Sequence, residues 1–352
     1  MATIILGGGI AGTALAAALA HGGTKVTLYE QQRAGSSGGA FLFLDDRGHA
    51  ALTGLGVDLS ALHAASHPLL GLDYANSVGV HSARMDRGHR FWLRANLIDV
   101  LRESLATSGA DAHFGVPISG IDLAAHTLHR PSGPAVAFGD ELVVAADGID
   151  SMVRTALEPA RTPVYSGDVV LYGMTTEPLT LPTPAAVLHF YDEITPAGKG
   201  ATFGHVWDGN TPALWFLRIP RAPLPVDDLG SRPVAEWSAE VLAATPSNSG
   251  LMETLLAHTD SVHVSNARTV PLDGAAVPSE PVLLVGDADH AITPAAGVGA
   301  RDALEDVHAV YLALRGSDSP AAAMAQRRAG IRADRERAQR LIRQSTGRPA
   351  AT

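Results

Sequence analysis

The sequence predicts an α/β protein in which helices cover a parallel sheet and a second, mostly antiparallel sheet is inserted into the chain. Three short apolar segments predict the parallel strands, at residues 3–6, 142–145 and 282–285. Buried parallel strands are typically continuous apolar runs of this kind. Each segment leads into glycine or aspartate, and ligands bind at this end of the strands in open α/β sheets.

The composition limits the classes of partner. At 352 residues the chain exceeds the size at which a single core usually stops growing, so we expect two interleaved domains or one domain with an added lobe. The formal net charge of −10 argues against duplex nucleic acid and anionic membranes as partners. The absence of cysteine excludes disulfides, thiolate nucleophiles and cysteine-bound zinc. We therefore expect a cytoplasmic monomer or homodimer that binds a small molecule, with no nucleic-acid or membrane partner.

The first 30 residues allow three interpretations because they carry no charged side chain before Lys25. A signal peptide needs a positively charged region before its apolar segment, and that region is missing here. A membrane-spanning helix needs about 20 strongly apolar residues, whereas this segment is rich in Ala and Gly. A strand, turn and helix fit better: residues 3–6 predict a strand, Thr13 to His21 a helix, and Lys25 to Tyr29 a second strand that ends at Glu30.

The turn between the first strand and the helix has the pattern G-x-G-x-x-G. Gly7 allows a sharp turn, Gly9 allows the backbone to approach a pyrophosphate, and Gly12 allows the helix to pack close to the strand. The N–H groups at the helix N-terminus then point at the phosphates. Glu30 follows Gly12 by 18 residues, near the spacing of about 20 at which an acid reaches the ribose hydroxyls. The pattern predicts a dinucleotide site, with a purely structural βαβ turn as the alternative.

Two further segments place an aspartate directly after an apolar strand. Residues 142–154 run from a strand into Asp147-Gly148 and the polar start of a helix. Residues 281–314 run from a strand into Gly286-Asp287, then a glycine-rich turn, then a helix that we expect to start near Gly299. Both aspartates fall at the carboxyl end of a predicted parallel strand, where ligands bind in such sheets.

Together these three motifs resemble those of the FAD-dependent aromatic hydroxylases, the single-component flavoprotein monooxygenases of the para-hydroxybenzoate hydroxylase type. Residues 93–105, 165–173 and the arginine-rich closing helix match lesser features of this family, so the resemblance covers nearly the whole chain. It implies a Rossmann-like FAD-binding domain with an interleaved, mostly antiparallel β-sheet substrate domain. We expect a discontinuous FAD-binding domain at 1–70, 92–162 and 275–347, a substrate domain at 71–91 and 163–274, and a tail at 348–352.

The resemblance implies an oxidoreductase that uses FAD and, transiently, NADPH or NADH. With O2 it would hydroxylate an aromatic or polyketide-like small molecule through a flavin C4a-hydroperoxide. The alternative is an FAD-dependent reductase or oxidase, or a flavin-binding protein, without oxygen insertion. No catalytic acid or base and no metal ligand is implied. The implied cofactor-binding residues are Gly7, Gly9, Ile10, Ala11, Gly12, Glu30, Gln31, Arg33, Arg94, Asp147, Asp287, Pro294, Gly297, Val298, Gly299 and Ala300.

The resemblance also implies individual roles. The glycines of the first motif and Glu30 would hold the ADP half of FAD, and Arg94 would contact the ribityl or phosphate region. Asp287 would hydrogen-bond the ribityl chain, and Asp147 would lie where FAD and the nicotinamide cofactor meet. The helix that starts near Gly299 would direct its N-terminal N–H groups at the flavin N1–O2 edge, which would favour the anionic reduced flavin.

Several positions differ from the family pattern. Leu171-Tyr172-Gly173 stands where the family has Trp-Arg-Gly. Differences of this kind make the substrate and the reaction outcome less certain than the cofactor. Arg301 either adds positive charge near the flavin or pairs with Asp302 or Glu305 on the helix surface. The third motif also differs at four positions. Where the family commonly has Ala, Gln, Asn and an apolar residue, this chain has, in that order, Asp289, Val298, Arg301 and Asp302.

The inserted sheet would cover the flavin and shape a substrate pocket. Its short apolar runs alternate with Pro, Gly and Asp turns, as expected for antiparallel strands. Aromatic and histidine side chains on these strands are candidates for the pocket wall, and each is equally a candidate for the core of the sheet. The candidates are Phe190, Phe203, His205, Trp215 and Phe216.

Three other patterns indicate competing functions less strongly. Residues 35–39 match the G-x-S-x-G of serine hydrolases but follow a polar segment rather than a strand. Residues 287–290 contain two aspartates and a histidine, but adjacent positions on a turn project apart, which does not suit a metal site. Residues 214–220 resemble a motif of flavin-dependent halogenases, yet neither Lys25 nor Lys199 lies where the catalytic lysine of those enzymes would fall.

Overall fold

The computed structural model describes residues 2–34, 41–85, 88–196, 198–293, 297–316 and 318–346. The three predicted apolar strands lie in one five-stranded sheet, in which every neighbouring pair is parallel. Because the first motif follows the central strand, its turn lies at the middle of the carboxyl edge of the sheet. The strands are β1 (Thr3–Leu6), β2 (Val26–Glu30), β8 (Asp111–Phe114), β12 (Leu142–Ala145) and β19 (Val282–Leu284), in the order β19-β12-β1-β2-β8.

Helices cover one face of the parallel sheet, and they share one apolar core with it. Leu15, Leu19 and Leu304 are fully buried in this core, and burying a leucine contributes about 1.5–3 kcal/mol. The first helix begins at Ile10, three residues before its predicted start, because Gly9 is its N-cap residue. The helices are α1 (Ile10–His21), α4 (Arg94–Ser108) and α9 (Gly299–Arg315), with α10 (Pro320–Thr346) packed on α9.

The opposite face of the parallel sheet packs on a small antiparallel sheet and one short helix. Ile4, Val143 and Leu128 meet in this second core. Both faces of the parallel sheet are therefore covered, as the continuous apolar runs of its strands require. The covering elements are β9 (Gly120–Asp122), β10 (Thr127–His129), β11 (Val136–Ala137) and α5 (Met152–Leu157).

A second, eight-stranded sheet is formed from two separate parts of the chain. All its neighbouring strands are antiparallel except Gly71–Asn76 and Val187–Thr195, which are parallel, so the expectation of a mostly antiparallel sheet is confirmed. The strands, in the order β17-β18-β13-β16-β15-β14-β5-β6, are β5 (Gly71–Asn76), β6 (His81–Met85), β13 (Val164–Pro178), β14 (Val187–Thr195), β15 (Gly198–Val206), β16 (Pro212–Pro220), β17 (Gly230–Pro233) and β18 (Ser261–Thr269).

The two faces of the eight-stranded sheet have different coverings. One face packs on α6 (Ser238–Ala244) and α7 (Ser249–Ala257). The other face meets a three-stranded sheet made of β3 (Phe41–Leu44), β4 (His67–Pro68) and β7 (Arg90–Leu93). Strand β3 connects the two halves of the molecule, because its side chains point alternately to opposite sides. Leu42 and Leu44 pack with the helices, whereas Phe41 and Phe43 pack against the eight-stranded sheet.

Short helices complete the fold. None of the helices in the described part of the chain combines the length and the apolar character needed to cross a lipid bilayer. The remaining helices are α2 (Asp46–Gly54), α3 (Leu59–Ala64) and α8 (Asp287–His290), and short 3-10 turns occur at Val226–Asp228, Val234–Glu236 and Pro246–Asn248.

Candidate active site

The glycine-rich turn is tightly packed on one side and open on the other. Gly7 has φ +101°, and a Cβ there would overlap the carbonyl of Ala146. A Cβ at Gly12 would overlap the carbonyl of Gly7, so close packing of the turn requires glycine at both positions. A Cβ at Gly9 would meet nothing within 4 Å, and no side chain caps the first N–H groups of α1. The turn therefore offers open backbone donors at a helix N-terminus, which is the arrangement that binds phosphate groups.

Glu30 lies beside this turn at the end of β2. Its carboxylate accepts hydrogen bonds from the backbone N–H groups of Gly8, at 2.5 Å, and Gln32, at 2.6 Å. The neighbouring Gln31 and Arg33 are exposed. The predicted acid of the first motif thus adjoins the glycine turn, as a residue that contacts a ribose at this site must.

Arg94, the first residue of α4, lies within electrostatic reach of acids from two separate motifs. Burial lowers the pKa of Arg94, whereas the charges of Asp287 and Glu30 raise it. The guanidinium remains protonated, because the ordinary pKa of arginine lies far above neutrality. A cation at this position can neutralise a phosphate that lies between the first and third motifs.

Asp147 follows β12 in the second motif. Its Oδ2 accepts hydrogen bonds from the backbone N–H groups of Met152, at 3.0 Å, and Val153, at 3.4 Å. Its Oδ1 is buried and has no hydrogen-bond partner among the described residues. Burial raises the pKa of the Asp147 carboxyl. An acceptor of this kind is costly to leave unpaired, so it is suited to a ligand that supplies a donor.

The third motif joins Asp287 to the N-terminus of α9. Gly286 has φ +57°, and it directs the chain from β19 into the single turn α8. Burial raises the pKa of Asp287. A Cβ at Gly299 would lie 4.0 Å from Asp287 Oδ1, so the start of α9 adjoins this carboxyl. The helix begins at Gly299, as predicted, with Val298 as N-cap, Gly297 at φ +64° and no side-chain cap. Pro294 lies outside the described residues.

Sequence reasoning missed the ionic network behind the third motif. Asp289 is 0% exposed, and its carboxylate accepts hydrogen bonds from Arg328 Nε, at 2.7 Å, Arg328 Nη2, at 2.6 Å, and Arg161 Nη2, at 3.2 Å. This cluster of Asp289, Arg161 and Arg328, here called the Asp289 clamp, connects α8 to the segment after α5 and to α10. The unusual aspartate and the arginine-rich last helix were both visible in the sequence, but their pairing was not.

A second buried pair lies next to this clamp. Asp306 Oδ2 accepts hydrogen bonds from His290 Nε2, at 2.5 Å, and from the backbone N–H of Gly286, at 3.0 Å. Arg327 donates to the other carboxylate oxygen at 3.0 Å. Burial alone would lower the pKa of His290, but the charge and hydrogen bond of Asp306 raise it above its ordinary value. The pair holds the Gly286 turn that directs Asp287 into the site.

Arg301 pairs with an acid, but not on the helix surface. Its guanidinium lies 2.9 Å from Asp302 and 3.1 Å from Asp45, and its side chain is only 12% exposed. Glu305 instead pairs with Arg47 and Arg327. The expected pairing with Asp302 is therefore confirmed, but its expected location on the helix surface is wrong. Because Asp45 follows β3 directly, Arg301 connects the first turn of α9 to that strand.

The candidate pocket residues divide between the two faces of the eight-stranded sheet. Phe190 lies on the face toward β3, where four rings form what we call the aromatic cluster. Phe203 and Trp215 are buried in the core under α6 and α7, and His205 stacks on Phe203. Of the two alternatives for these three residues, pocket wall or sheet core, their position favours the core, because they lie on the face opposite to Phe190. The aromatic cluster consists of Phe41, Tyr172, Phe190 and Phe216.

The rings of the aromatic cluster contact one another across the two sheets. The centroids of Phe41 and Tyr172 are 5.7 Å apart at an interplanar angle of 87°, and those of Phe190 and Phe216 are 5.8 Å apart at 62°. Phe41 also lies 6.4 Å from Phe216. Edge-to-face pairs of this geometry are favourable. Since Arg301 connects β3 to the start of α9, the cluster and the third motif belong to the same region of the molecule.

A comparison with known protein families decides the identity of this site. The family model described as "FAD binding domain" matches residues 1–320. The chain belongs to the FAD-dependent aromatic hydroxylase family of monooxygenases. The match includes all three motifs, and FAD is the cofactor. The open turn at Gly9 and the unpaired acceptor of Asp147 fit a ligand that brings both phosphates and hydrogen-bond donors.

Individual relatives agree with this family assignment. The chain is 30% identical to a 2-heptyl-3-hydroxy-4(1H)-quinolone synthase of Pseudomonas aeruginosa, over 87% of this chain and 78% of that protein. It is 28% identical to an aurachin C monooxygenase/isomerase of Stigmatella aurantiaca, over 89% of this chain and 80% of that protein. Among solved structures, tetrameric 2-methyl-3-hydroxypyridine-5-carboxylic acid oxygenase has the same fold, with a TM-score of 0.76, 22% identity, and coverage of 96% of this chain and 89% of that one.

The competing patterns gain no support from the described residues. Residues 35–39, the hydrolase-like pattern, lie outside the part of the chain that the structure describes. Within the described part, no group of three or more His, Asp or Glu side chains is arranged to hold a metal ion. The side chains of residues 287–290 diverge as expected, because Asp289 joins its clamp while His290 bonds to Asp306.

Proposed function

We propose that this FAD-dependent monooxygenase takes its electrons from NADPH or NADH and hydroxylates a small aromatic molecule bound against the aromatic cluster. The observation that carries the proposal is the position of that cluster. Its rings lie between the strand that Arg301 joins to α9 and the eight-stranded sheet. Aromatic side chains of this kind bind flat apolar molecules through burial and edge or face contacts.

We propose that the three motifs hold different parts of FAD. The open glycine turn binds the pyrophosphate, and Glu30 binds the adenosine ribose. Arg94 neutralises phosphate charge, and Asp287 binds the ribityl chain. Ile10, Ala11, Gln31 and Arg33 lie next to these groups in sequence and complete the ADP side. Support comes from the close packing that excludes side chains at Gly7 and Gly12 and from the charges of Asp287 and Glu30, which raise the pKa of Arg94.

When bound, FAD supplies the electron transfer and the activation of dioxygen. The protein binds, orients and shields the reactants, so a separate catalytic acid or base is not required. The N-terminus of α9, at Val298, Gly299 and Ala300, would stabilise negative charge through its dipole and its uncapped N–H groups. The aromatic cluster would exclude water from the reaction and hold the substrate ring.

Cofactor binding and substrate binding fall on different parts of the chain in this proposal. We assign cofactor binding to residues 1–70, 92–162 and 275–347, and substrate binding to 71–91 and 163–274. The relatives named for a quinolone product and for aurachin C favour a fused or substituted aromatic substrate. A monomer or homodimer remains our expectation for the oligomeric state.

An oxygen-labelling experiment tests the proposed reaction. The purified protein is loaded with FAD, and the oxidation of NADPH and NADH is followed with and without O2, in the presence and absence of 4(1H)-quinolone. We expect oxidation that the aromatic compound stimulates, and one ¹⁸O atom from ¹⁸O2 in the product. NAD(P)H oxidation that continues with the quinolone and an alternative electron acceptor in the absence of O2 would indicate a reductase, while hydrogen peroxide without labelled product would indicate an oxidase.

A further inference from the structure

One row of side chains crosses five strands of the eight-stranded sheet in direct register. Tyr172 of β13 lies opposite His263 of β18 and Phe216 of β16. Phe216 lies opposite Gly204 of β15, which in turn lies opposite Phe190 of β14. Residues that pair directly across strands point to the same face. These residues form the floor under Phe41, and beyond Phe190 the row continues to Tyr74 of β5, whose hydroxyl already donates to Asp192.

Gly204 allows the floor to be flat. A Cβ at this position would overlap the ring of Phe216, so the ring lies across the space where a side chain would otherwise stand. The Phe216 ring also meets Phe190 edge to face. This arrangement presents aromatic surface along most of the row.

The hydroxyl of Tyr172 is the polar group at one end of this aromatic floor. The ring is packed edge to face with Phe41, and the hydroxyl has no hydrogen-bond partner among the described residues. Burial raises the pKa of Tyr172, so its hydroxyl remains a donor at neutral pH. The side chain of Tyr172 is half-buried, and a hydroxyl that no described protein group uses is free to donate to a ligand that offers an acceptor.

The direct strand neighbours of Tyr172 offer no free cation: in register it lies between His263 and Phe216, and Arg301, the cation that joins α9 to β3, is already paired with Asp45 and Asp302. Burial is the sole cause of its raised pKa, and no charged side chain of the described residues shifts that pKa. The neighbouring His263 has its pKa lowered by burial and is neutral at pH 7. A carboxylate that entered this floor would lose its hydration without gaining a cationic partner, which is strongly unfavourable.

We infer that Tyr172 is a specificity-determining residue, which donates a hydrogen bond to a carbonyl or similar neutral acceptor of the substrate. The aromatic row then selects uncharged aromatic substrates over aromatic carboxylates. This inference rests on the proposed function, because it deepens the substrate class of the same site.

Ligand titration of the FAD-loaded full-length protein tests the inference. Two probes of similar shape are compared: neutral 4(1H)-quinolone and anionic quinoline-4-carboxylate. Binding is followed by the change in absorbance of the bound FAD. We expect the wild-type protein to bind the quinolone at least about 100-fold more tightly than the carboxylate, since the site offers the anion no cation.

Three variants separate the role of the hydroxyl from that of the fold. Tyr172→Phe should raise the Kd for the quinolone about 5- to 10-fold, because it removes one hydrogen bond and keeps the ring. Tyr172→Arg should improve binding of the carboxylate relative to the quinolone. Tyr165→Phe is the matched control, because its hydroxyl donates to Arg221 O at 2.7 Å on the same strand, outside the cluster, and it should leave both Kd values unchanged.

The possible outcomes are distinct. Equal binding of the two probes by the wild-type protein, failure of both to bind, or an unchanged quinolone Kd in Tyr172→Phe would overturn the inference. Retention of FAD absorbance by each variant shows that it is folded. Because the titration needs no turnover, the expected probe preference together with an absence of labelled product would count against the proposed hydroxylation and not against the role of Tyr172.

Discussion

Alanine substitutions at Gly12 and Gly9 should separate the packing of the glycine turn from its binding of FAD. A Cβ at Gly12 would lie 1.9 Å from the carbonyl oxygen of Gly7. Relief of this overlap requires α1 and the turn to move apart by about 1 Å, and overpacking of this kind costs about 1–3 kcal/mol or more. We therefore expect Gly12→Ala to lower the free energy of unfolding of the apoprotein by about 3 kcal/mol and its Tm by about 4 °C.

Gly9→Ala is the matched control because its Cβ would meet nothing within 4 Å. Its φ of −74° suits alanine, so the apoprotein should unfold within about 1 kcal/mol of the wild-type value. The added methyl group nevertheless occupies the open side of the turn, and we expect the Kd for FAD to rise at least about 10-fold by steric exclusion.

Urea unfolding of the apoproteins and fluorescence titration with FAD measure the two effects. The reasoning would be refuted if Gly12→Ala were as stable as the wild-type protein, because the close contact with Gly7 would then not constrain the turn. It would also be refuted if Gly9→Ala bound FAD normally, because the open side of the turn would then not face the cofactor.

Three further substitutions test the network and the floor of the site. Asp289→Ala should lower the free energy of unfolding by about 3–5 kcal/mol, because two buried guanidinium groups lose their carboxylate; a loss below about 1 kcal/mol in urea unfolding would contradict the clamp. The raised pKa of His290 means that its pairing with Asp306 stabilises the fold fully below about pH 6.5 and is lost as the pH rises through the raised value. Asp306→Asn should thus remove this loss of stability at alkaline pH. If the free energy of unfolding of the variant fell with pH as steeply as that of the wild-type protein, the His290–Asp306 pair would not be its cause. Gly204→Ala should displace the Phe216 ring and weaken quinolone binding about 10-fold with little loss of FAD, whereas an unchanged quinolone Kd would show that the flat floor does not bind the probe.

The sequence predicted the cofactor side of the molecule because its signals are local. The glycine turn, the spacing to Glu30 and the two strand-aspartate segments each lie within a short stretch of chain, and the register of the parallel sheet brings them to one edge. The start of α9 at Gly299 was predicted for the same reason, since a glycine-rich turn precedes an amphipathic segment.

The substrate side depended on information that local patterns do not carry. Alternation along β15 and β16 identified two faces, but it could not tell which face meets β3, so Phe203 and Trp215 were grouped with Phe190. The partners of Asp289 lie 128 and 39 residues away along the chain, at Arg161 and Arg328. Pairings across such distances are fixed by the packing of whole elements, which a single sequence does not specify.

The Asp289 clamp has a consequence for the order in which the protein is made. The glycine turn leaves the ribosome first, but the turn that carries Asp287 is held by arginines of α10, which is synthesised more than 300 residues later. Chains are synthesised from the N-terminus at about 5–20 residues per second. The glycine turn is therefore present for some tens of seconds before the arginines of α10 are synthesised. We therefore expect stable FAD binding only after α10 has been synthesised, because a nascent chain stalled before Arg328 would carry the phosphate-binding turn without the Asp289 clamp.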